Sequence, residues 1–287
     1  MSDPMNGFTM PHMAAPPADV VARIRWTIAD AVTMTWRNLS HIRRVPEKLL
    51  DVTMQPIVLV LLFAYVLGSA IHLEGSGNYR EYLIPGIFVQ SIFFAAAGSA
   101  VDVAVDMARG IIDRFRSLPV ARSAVVVGRT VADLFDTTLS LAVMTVCGFL
   151  VGWRVHNGFA SAAAAFGLLL LFSFGSSWMT TFIGLMVRTP EAATGVTMAI
   201  LIPLTFVANT FIPIGGLPGW LRTATCWSPI SAAAAACRQL FGNPDPIPPD
   251  AAWPLHHPVA AFVGWSIVLL VVFVPLTVWR YRNATSH

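Results

Sequence analysis

Long uncharged stretches of apolar residues dominate this sequence and recur along the whole chain. An α-helix rises about 1.5 Å per residue, so roughly 20 apolar residues cross the ~30 Å hydrocarbon core of a membrane. Six stretches have the required length, and the third extends back to Asp133. They are residues 52–71, 82–101, 137–153, 159–187, 192–221 and 258–279. The pattern predicts an all-α integral membrane protein with six transmembrane helices.

The composition agrees with a membrane environment. Of the 287 residues, 56% are hydrophobic and 11% are charged, whereas soluble domains carry about 25% charged residues. A chain with so few charges has too little polar surface to cover a water-soluble fold. The bilayer is therefore the solvent that the composition favours.

The basic residues are divided unequally between the two sides that six spans define. Cytoplasmic loops of membrane proteins carry an excess of Arg and Lys. Fourteen of the 18 basic residues fall on the side that holds both chain ends. The other side holds Arg80, Arg154, Arg222 and Arg238. We therefore predict that both termini are cytoplasmic.

The segment before the first span predicts a helix that lies in the cytoplasmic interface. Residues 1–18 lack the basic start and apolar core of a signal peptide and are expected to form a flexible tail. Residues 19–45 have apolar side chains at helical spacing, with Arg23, Arg37 and Arg44 among the polar positions. Such a helix either anchors the domain against lipid or also contacts a partner. Residues 46–282 then form the transmembrane domain, and 283–287 form a C-terminal tail.

A short amphipathic helix is predicted between the second and third spans, at residues 110–122. Gly110 breaks the preceding helix and Pro119 stops the short one. Its apolar face comprises Ile111, Phe115 and Leu118. The other candidate residues are Asp113, Arg114, Arg116 and Arg122. We interpret this helix as a docking surface for a soluble protein, the alternative being a basic loop that only sets the topology.

The outer end of the fifth span is interrupted by residues that break helices. Pro213 is followed by two further breaks at 215–216 and 218–219, and irregular backbone at membrane depth must be buried or line a wet cavity. Residues 213–240 are expected to form an outer re-entrant segment, since 223–237 is too short to span and contains Pro229. The candidate pathway or gate residues are Phe88, Phe93, Phe94, Asn209, Phe211 and Pro213. The proline-rich loop at 243–258 has no predicted role.

Four carboxylates lie near the inner ends of the second and third spans, namely Asp102, Asp106, Asp133 and Asp136. Carboxylates inside a membrane are functional candidates, so a proton relay is one interpretation. Arg109 and Arg129 lie within helical reach of these acids, so structural ion pairing is the other.

Several kinds of chemistry are absent from the sequence. The only lysine is Lys48, and it does not lie in a phosphate-binding loop. No metal-ligand spacing and no hydrolase motif is present. Cys147, Cys226 and Cys237 are expected to be packing thiols, although a bridge between the last two is possible. We therefore expect this chain to bind no cofactor itself and to be no enzyme.

Taken together, these segments resemble the membrane subunit of type-2 ABC exporters, in particular the daunorubicin-resistance permease group. The likeness covers about residues 20–282. It is carried by 113–122 (DRFRSLPVAR), 128–129 (GR), 209–213 (NTFIP), 217–221 (LPGWL), 227–230 (WSPI) and Arg238.

The resemblance implies roles for these segments. Residues 19–45 match the connecting helix, and 110–122 match the coupling helix that docks into a separate ATPase. Also implied are six spans, an outer re-entrant helical hairpin and export of hydrophobic drugs, antibiotics or lipids. Two ATPase copies would bind ATP and Mg, and a second permease copy would complete a homodimer in a bacterial plasma membrane. The lipid bilayer is a further partner, and nucleic acid is not.

Other functions remain as alternatives from the sequence. The same architecture also exports polysaccharides or lipid-linked glycans. An ion-coupled secondary transporter is a different class that rests on the four aspartates, although no inverted repeat is evident. An intramembrane enzyme lacks the required motifs.

Overall fold

A computed structural model gives the architecture of the chain. It describes residues 54, 57–67, 79–109, 122–211, 214, 217–243, 245, 247–249 and 251–283. The predicted helix at 19–45 and residues 110–121 of the predicted docking helix lie outside these ranges.

The described part of the chain is built from helices. Residues 57–62 are α-helical and continue into a π-helical turn, Phe63–Leu67. The helices that follow are α1 (Tyr79–Ala108), α2 (Arg122–Val151), α3 (Gly158–Gly184), α4 (Pro190–Phe206), α5 (Gly219–Trp227), α6 (Pro229–Phe241), α7 (Trp253–His256) and α8 (Pro258–Asn283).

Among the described residues, four helices are long and apolar enough to cross a membrane. Their apolar parts are Tyr79–Ala108, Asp133–Val151, Gly158–Gly184 and Pro258–Tyr281. These helices confirm the prediction of an all-α membrane protein. The fifth predicted span corresponds to α4, a shorter apolar helix of 17 residues, and only 57–67 represents the core of the first. The count of six therefore stays a prediction.

The long helices alternate in direction. At one end of the bundle, Tyr79 contacts the chain that follows α4, Arg80 contacts the end of α2, and Asn157 before α3 contacts the end of α6. At the other end, Tyr281 of α8 packs with the last turns of α1 and α3. We name these the Arg238 end and the Arg109 end, after an arginine at each.

Helix α1 forms the centre of the bundle. Its apolar window is 72% buried, against 28%, 28% and 22% for α2, α3 and α8. Close contact with α3 depends on Gly184, where an added Cβ would collide with the backbone of Ala100. The hydroxyl of Thr180 donates to the carbonyl of Ala96 at 2.6 Å in the same interface. Small residues and backbone acceptors thus bring α3 against the central helix.

The predicted outer segment is two helices. Residues 223–237 do not form one helix, because the chain breaks at Ser228, whose extended backbone ends α5 and begins α6. Pro229 occupies the first turn of α6, where a missing N–H costs nothing. Residues 230–238 of α6 are all buried. Helix α6 is therefore a core element, and α5 lies at its edge.

Candidate functional site at the Arg238 end

A fully buried arginine lies at the centre of this end of the molecule. The side chain of Arg238, in the last turn of α6, has no exposed surface. Its Nε donates to the carbonyl of Tyr82 at 2.8 Å, and its Nη2 donates to the carbonyls of Asn209 at 2.9 Å and Thr210 at 3.1 Å. One guanidinium therefore joins α6 to the first turn of α1 and to the chain after α4.

The acceptors after α4 exist because that helix stops early. Helix α4 ends at Phe206, so the backbone carbonyls of residues 209–211 have no helical partners and need donors from elsewhere. Arg238 supplies two of the missing donors. The hydroxyls of Tyr82 and Tyr79 supply two more, to the carbonyls of Asn209 at 2.7 Å and Phe211 at 2.8 Å. The break predicted at Pro213 thus begins several residues earlier, where partners from other helices satisfy the backbone.

Helix α1 offers both an acceptor and a ring to Arg238. Pro85 lies inside α1 and removes one of the hydrogen bonds of its first turns. The guanidinium lies over the Tyr82 ring, with Cζ 3.6 Å from the ring centroid. A desolvated cation–π contact of this kind contributes about 2 kcal/mol. We call Tyr79, Tyr82, residues 209–211, Arg238 and Asp245 the arginine clamp.

The charge of Arg238 is balanced in two ways. Its Nη1 lies 3.4 Å from Oδ1 of Asp245, whose side chain is 13% exposed. Burial raises the pKa of this carboxyl, and the Arg238 charge opposes the increase. Arg238 also lies in the last turn of α6, where the helix dipole favours a cation. Breaking such a buried pair by removing one partner costs roughly 3–5 kcal/mol.

A second layer of contacts fixes the end of α6. Trp153 donates through Nε1 to Oδ1 of Asn243 at 2.8 Å, and Nδ2 of Asn243 donates to the carbonyl of Arg154. Gly242 ends α6 with a φ of +76°, and a Cβ there would lie 2.8 Å from Oδ1 of Asn157. The link between α2 and α3 is therefore held against the C-terminus of α6.

The structure places the predicted pathway residues in two groups. Phe88 and Phe93 are buried in the core, where Phe88 meets Trp153 edge-on and Phe93 stacks on Phe172. Phe94 is partly buried. Asn209 and Phe211 lie in the arginine clamp, and Pro213 is outside the described residues. Their role in a pathway stays a prediction.

Other predicted sites fall mainly on parts of the chain that are not described. Arg23, Arg37 and Arg44 lie there, as do the docking residues Gly110, Ile111, Asp113, Arg114, Phe115, Arg116, Leu118 and Pro119. Arg122 begins α2. The roles of these residues stay predictions.

The carboxylates near the Arg109 end take part in a hydrogen-bonded contact between helices. Oδ2 of Asp133 accepts from the hydroxyl of Ser99 at 2.6 Å, and Thr137 and Ser173 share a bond at 2.9 Å. Asp102, Asp106 and Asp136 are each partly buried and also interact with other groups. No set of three His, Cys, Asp or Glu in the described ranges is arranged to hold a metal.

Comparison with known proteins decides the family. The family described as ABC-2 type transporter matches residues 30–241, which is most of the chain. This chain belongs to the ABC-2 type transporter family. It is 29% identical to the daunorubicin resistance ABC transporter permease protein DrrB1 of Streptomyces coeruleorubidus, over 91% of this chain and 88% of that protein.

More distant relatives extend over similar lengths. The probable doxorubicin resistance ABC transporter permease protein DrrC of Mycobacterium tuberculosis is 23% identical, over 92% of each chain. The putative transport permease ycf38 of Cyanophora paradoxa is 21% identical, over 86% of this chain and 85% of the relative. The ABC-2 resemblance drawn from the sequence is thereby confirmed.

Sequence reasoning missed the centre of this ABC-2 transporter's clamp. The sequence pattern places Arg238 among the four cations of the outer side, within the segment 213–240 and among the residues that carry the resemblance, but it does not predict that Arg238 is buried in the core. One signal was available: Arg238 is the only charged residue between Arg222 and Asp245. A lone charge within an alanine-rich stretch indicates a buried partner.

Proposed function

We propose that this chain is the permease subunit of an ATP-driven exporter of hydrophobic drugs or antibiotics. The observation that carries the proposal is the ABC-2 family match over 30–241, together with relatives named as daunorubicin and doxorubicin resistance permeases. ATP and Mg bind a separate ATPase, of which two copies are expected. The permease itself supplies the route through the membrane.

The packing of the described helices favours a route between two permease copies. Aromatic side chains such as Phe88, Phe93 and Phe172 fill the centre of one copy. Helix α4 buries only Ala193, Thr197, Leu201 and Thr205. The rest of its surface is largely exposed and includes small residues at 195 and 199, which allow close helix approach in membranes. A second copy seated near this face would enclose the route in a homodimer.

Exposed aromatic residues support a position of the Arg238 end at a membrane–water interface. Trp220, Trp227, Trp253 and Phe159 are all more than half exposed and lie near this end. Trp side chains concentrate where membrane meets water. The orientation itself rests on the distribution of basic residues along the sequence, which favours cytoplasmic termini and an external arginine clamp, in a bacterial plasma membrane.

The mechanism follows from this orientation. ATP closes the two ATPase copies, and residues 110–122 pass the motion to the adjoining ends of α1 and α2. Ile111, Phe115 and Leu118 form the contact with the ATPase. ATP binding shifts the population of permeases from inward-open to outward-open, since it binds one state more tightly. The substrate is held by apolar side chains without a fixed charge pair.

Inverted membrane vesicles that contain the permease and a co-encoded ATPase test this function. We expect ATP-dependent uptake of a fluorescent anthracycline that continues after an uncoupler removes the proton gradient. Uptake that follows the proton gradient and ignores ATP would instead identify an ion-coupled transporter. Uptake of a lipid-linked glycan but of no hydrophobic drug would identify the polysaccharide alternative.

A charge substitution tests the coupling helix within the same vesicles. Replacing Phe115 and Leu118 with Asp places two charges on the docking face, and we expect loss of both ATPase capture and uptake. Ser117→Asp is the matched control, because it adds a charge to the same segment on another face. Normal capture and uptake by the double variant would remove 110–122 from the coupling role.

A further inference from the structure

We propose that Arg238 is a positioning residue that keeps the start of α1, the broken end of α4 and helix α6 together as one rigid unit throughout transport. The inference rests on the proposed function, because it concerns how the external end opens. On this view the external end opens by movement of the whole unit. The end of α4 does not separate from Arg238 during the cycle.

The acceptors of Arg238 make release unfavourable. Three of them are backbone carbonyls, those of Tyr82, Asn209 and Thr210. A carbonyl cannot rotate away as a side chain does, so release requires the helices themselves to separate. Separation would leave a buried charge and several buried acceptors without partners, which is strongly unfavourable.

The contacts around Arg238 reinforce the same unit. The backbone N–H of Asn209 donates to the hydroxyl of Ser231 on α6 at 3.1 Å. Gly86 of α1 approaches Thr210 so closely that an added Cβ would lie 2.6 Å from its carbonyl oxygen. The chain after α4 is therefore joined to α6 and to α1 by contacts that do not involve the arginine. Helices α1 and α6 are joined to each other through Arg238 itself.

The remainder of α4 has a different character. Its buried positions form one narrow stripe, and residues 194–196, 199–200 and 202–203 are exposed. Few fixed polar contacts hold this part, so it is the part free to change neighbours when two copies move. The proposal thus separates a rigid external unit from a mobile α4 surface.

The native cysteines provide the test. Cys226 and Cys237 are buried and free, and Cys237 is adjacent to Arg238. A background with Cys147→Ala and Cys226→Ala leaves Cys237 as the reporter thiol for a membrane-impermeant maleimide applied to the external face. In right-side-out vesicles that contain the partner ATPase and are loaded either with ATP or with no nucleotide, we expect Cys237 to stay unlabelled in both cases. Labelling of Cys237 that appears only with ATP would overturn the proposal.

Variants of the arginine supply the second arm. Arg238→Met should expose Cys237 to the maleimide without ATP, by at least tenfold in rate. Arg238→Lys should raise the labelling rate of Cys237 nearly as much, because a single ammonium cannot reproduce the planar guanidinium that reaches three carbonyls. Arg222→Met, which removes a cation from α5 outside the clamp, should leave labelling unchanged. Continued protection of Cys237 in Arg238→Met would also overturn the proposal.

Two further measurements keep the outcomes separate. If the Arg238→Met protein does not accumulate, Tyr82→Phe takes its place. This change keeps the ring and removes only the bond to Asn209, so it should raise Cys237 labelling by a smaller factor. Ala199→Cys on the exposed side of α4 reports whether ATP moves the permease at all. If ATP changes the labelling of neither Ala199→Cys nor Cys237, the result counts against the proposed function. The labelling of the Arg238 variants would still show whether Arg238 holds the clamp together.

Discussion

Replacement of Gly86 by alanine is the sharpest test of the packing at the arginine clamp. A Cβ at this position would lie 2.6 Å from the carbonyl oxygen of Thr210 and 2.9 Å from its Cγ2. The first contact is with backbone, so no side-chain rotation relieves it. Thr210 must move, and its carbonyl also accepts from Arg238 at 3.1 Å.

The magnitude follows from three contributions. Overpacking in a core costs about 1–3 kcal/mol, and loss of a hydrogen bond to a charged group costs about 1.5–3 kcal/mol. Alanine regains about 1 kcal/mol through its higher helix propensity. The free energy of unfolding of Gly86→Ala should therefore fall by about 1.5–5 kcal/mol.

The same helix contains a matched control. Gly98 is exposed, and a Cβ there meets nothing within 4 Å. Gly98→Ala should be neutral or should stabilise the protein by up to about 1 kcal/mol. Unfolding by SDS in mixed micelles, followed by tryptophan fluorescence, measures both variants. Equal stability of the two would refute the close approach of α1 to the end of α4.

Two other substitutions test the surroundings of the clamp. Gly242→Ala would put a Cβ on a left-handed backbone, at φ +76°, and only 2.8 Å from Oδ1 of Asn157. It should therefore lower the free energy of unfolding by about 2 kcal/mol or more in the same assay. An unchanged free energy of unfolding would contradict the tight C-terminus of α6. Asp245→Asn should change how stability depends on pH. Burial raises the pKa of Asp245, so the folded protein binds the carboxyl proton more tightly than the unfolded chain does. The stability that this proton contributes is therefore present at acid pH and is lost as the pH rises through the pKa of the folded state. Unfolding measured across that range should show a flatter profile for Asp245→Asn than for the native protein, and identical profiles would exclude a role for this carboxyl.

The positions of the long helices were predictable because they depend on solvent and length. The predicted spans at 82–101, 159–187 and 258–279 correspond to α1, α3 and α8 within a few residues at most ends. An uncharged stretch of this length must satisfy its backbone internally, and a helix is the simplest way to do so. No knowledge of neighbouring helices is needed for that step.

The end of α4 was not predictable from the same argument. The apolar stretch continues to Leu221, yet the helix stops at Phe206. The carbonyls of residues 209–211, just beyond the helix, accept from Arg238, Tyr82 and Tyr79, which lie far away in sequence. Hydropathy does not register donors that arrive from another helix.

The direction of the aromatic side chains of α1 was equally hidden. Phe88 and Phe93 are packed in the core of one copy, and their predicted role in a pathway stays a prediction. The stretch 83–97 of α1 is apolar except for Gln90 and Ser91, so no polar face there marks the orientation of the helix. Which side faces a route is set by the neighbours of α1, and those neighbours are distant in sequence.

The clamp has a consequence for mutational surveys of this protein. Asn209 and Thr210 serve Arg238 through their carbonyls, and their side-chain oxygens Oδ1 and Oγ1 make no hydrogen bond to the described residues. Truncating either side chain to alanine leaves the acceptor in place. An alanine scan would therefore register Arg238 but would overlook the carbonyls at 209–210 that it holds. Main-chain recognition of this kind makes no demand of its own on the side chains at 209–210.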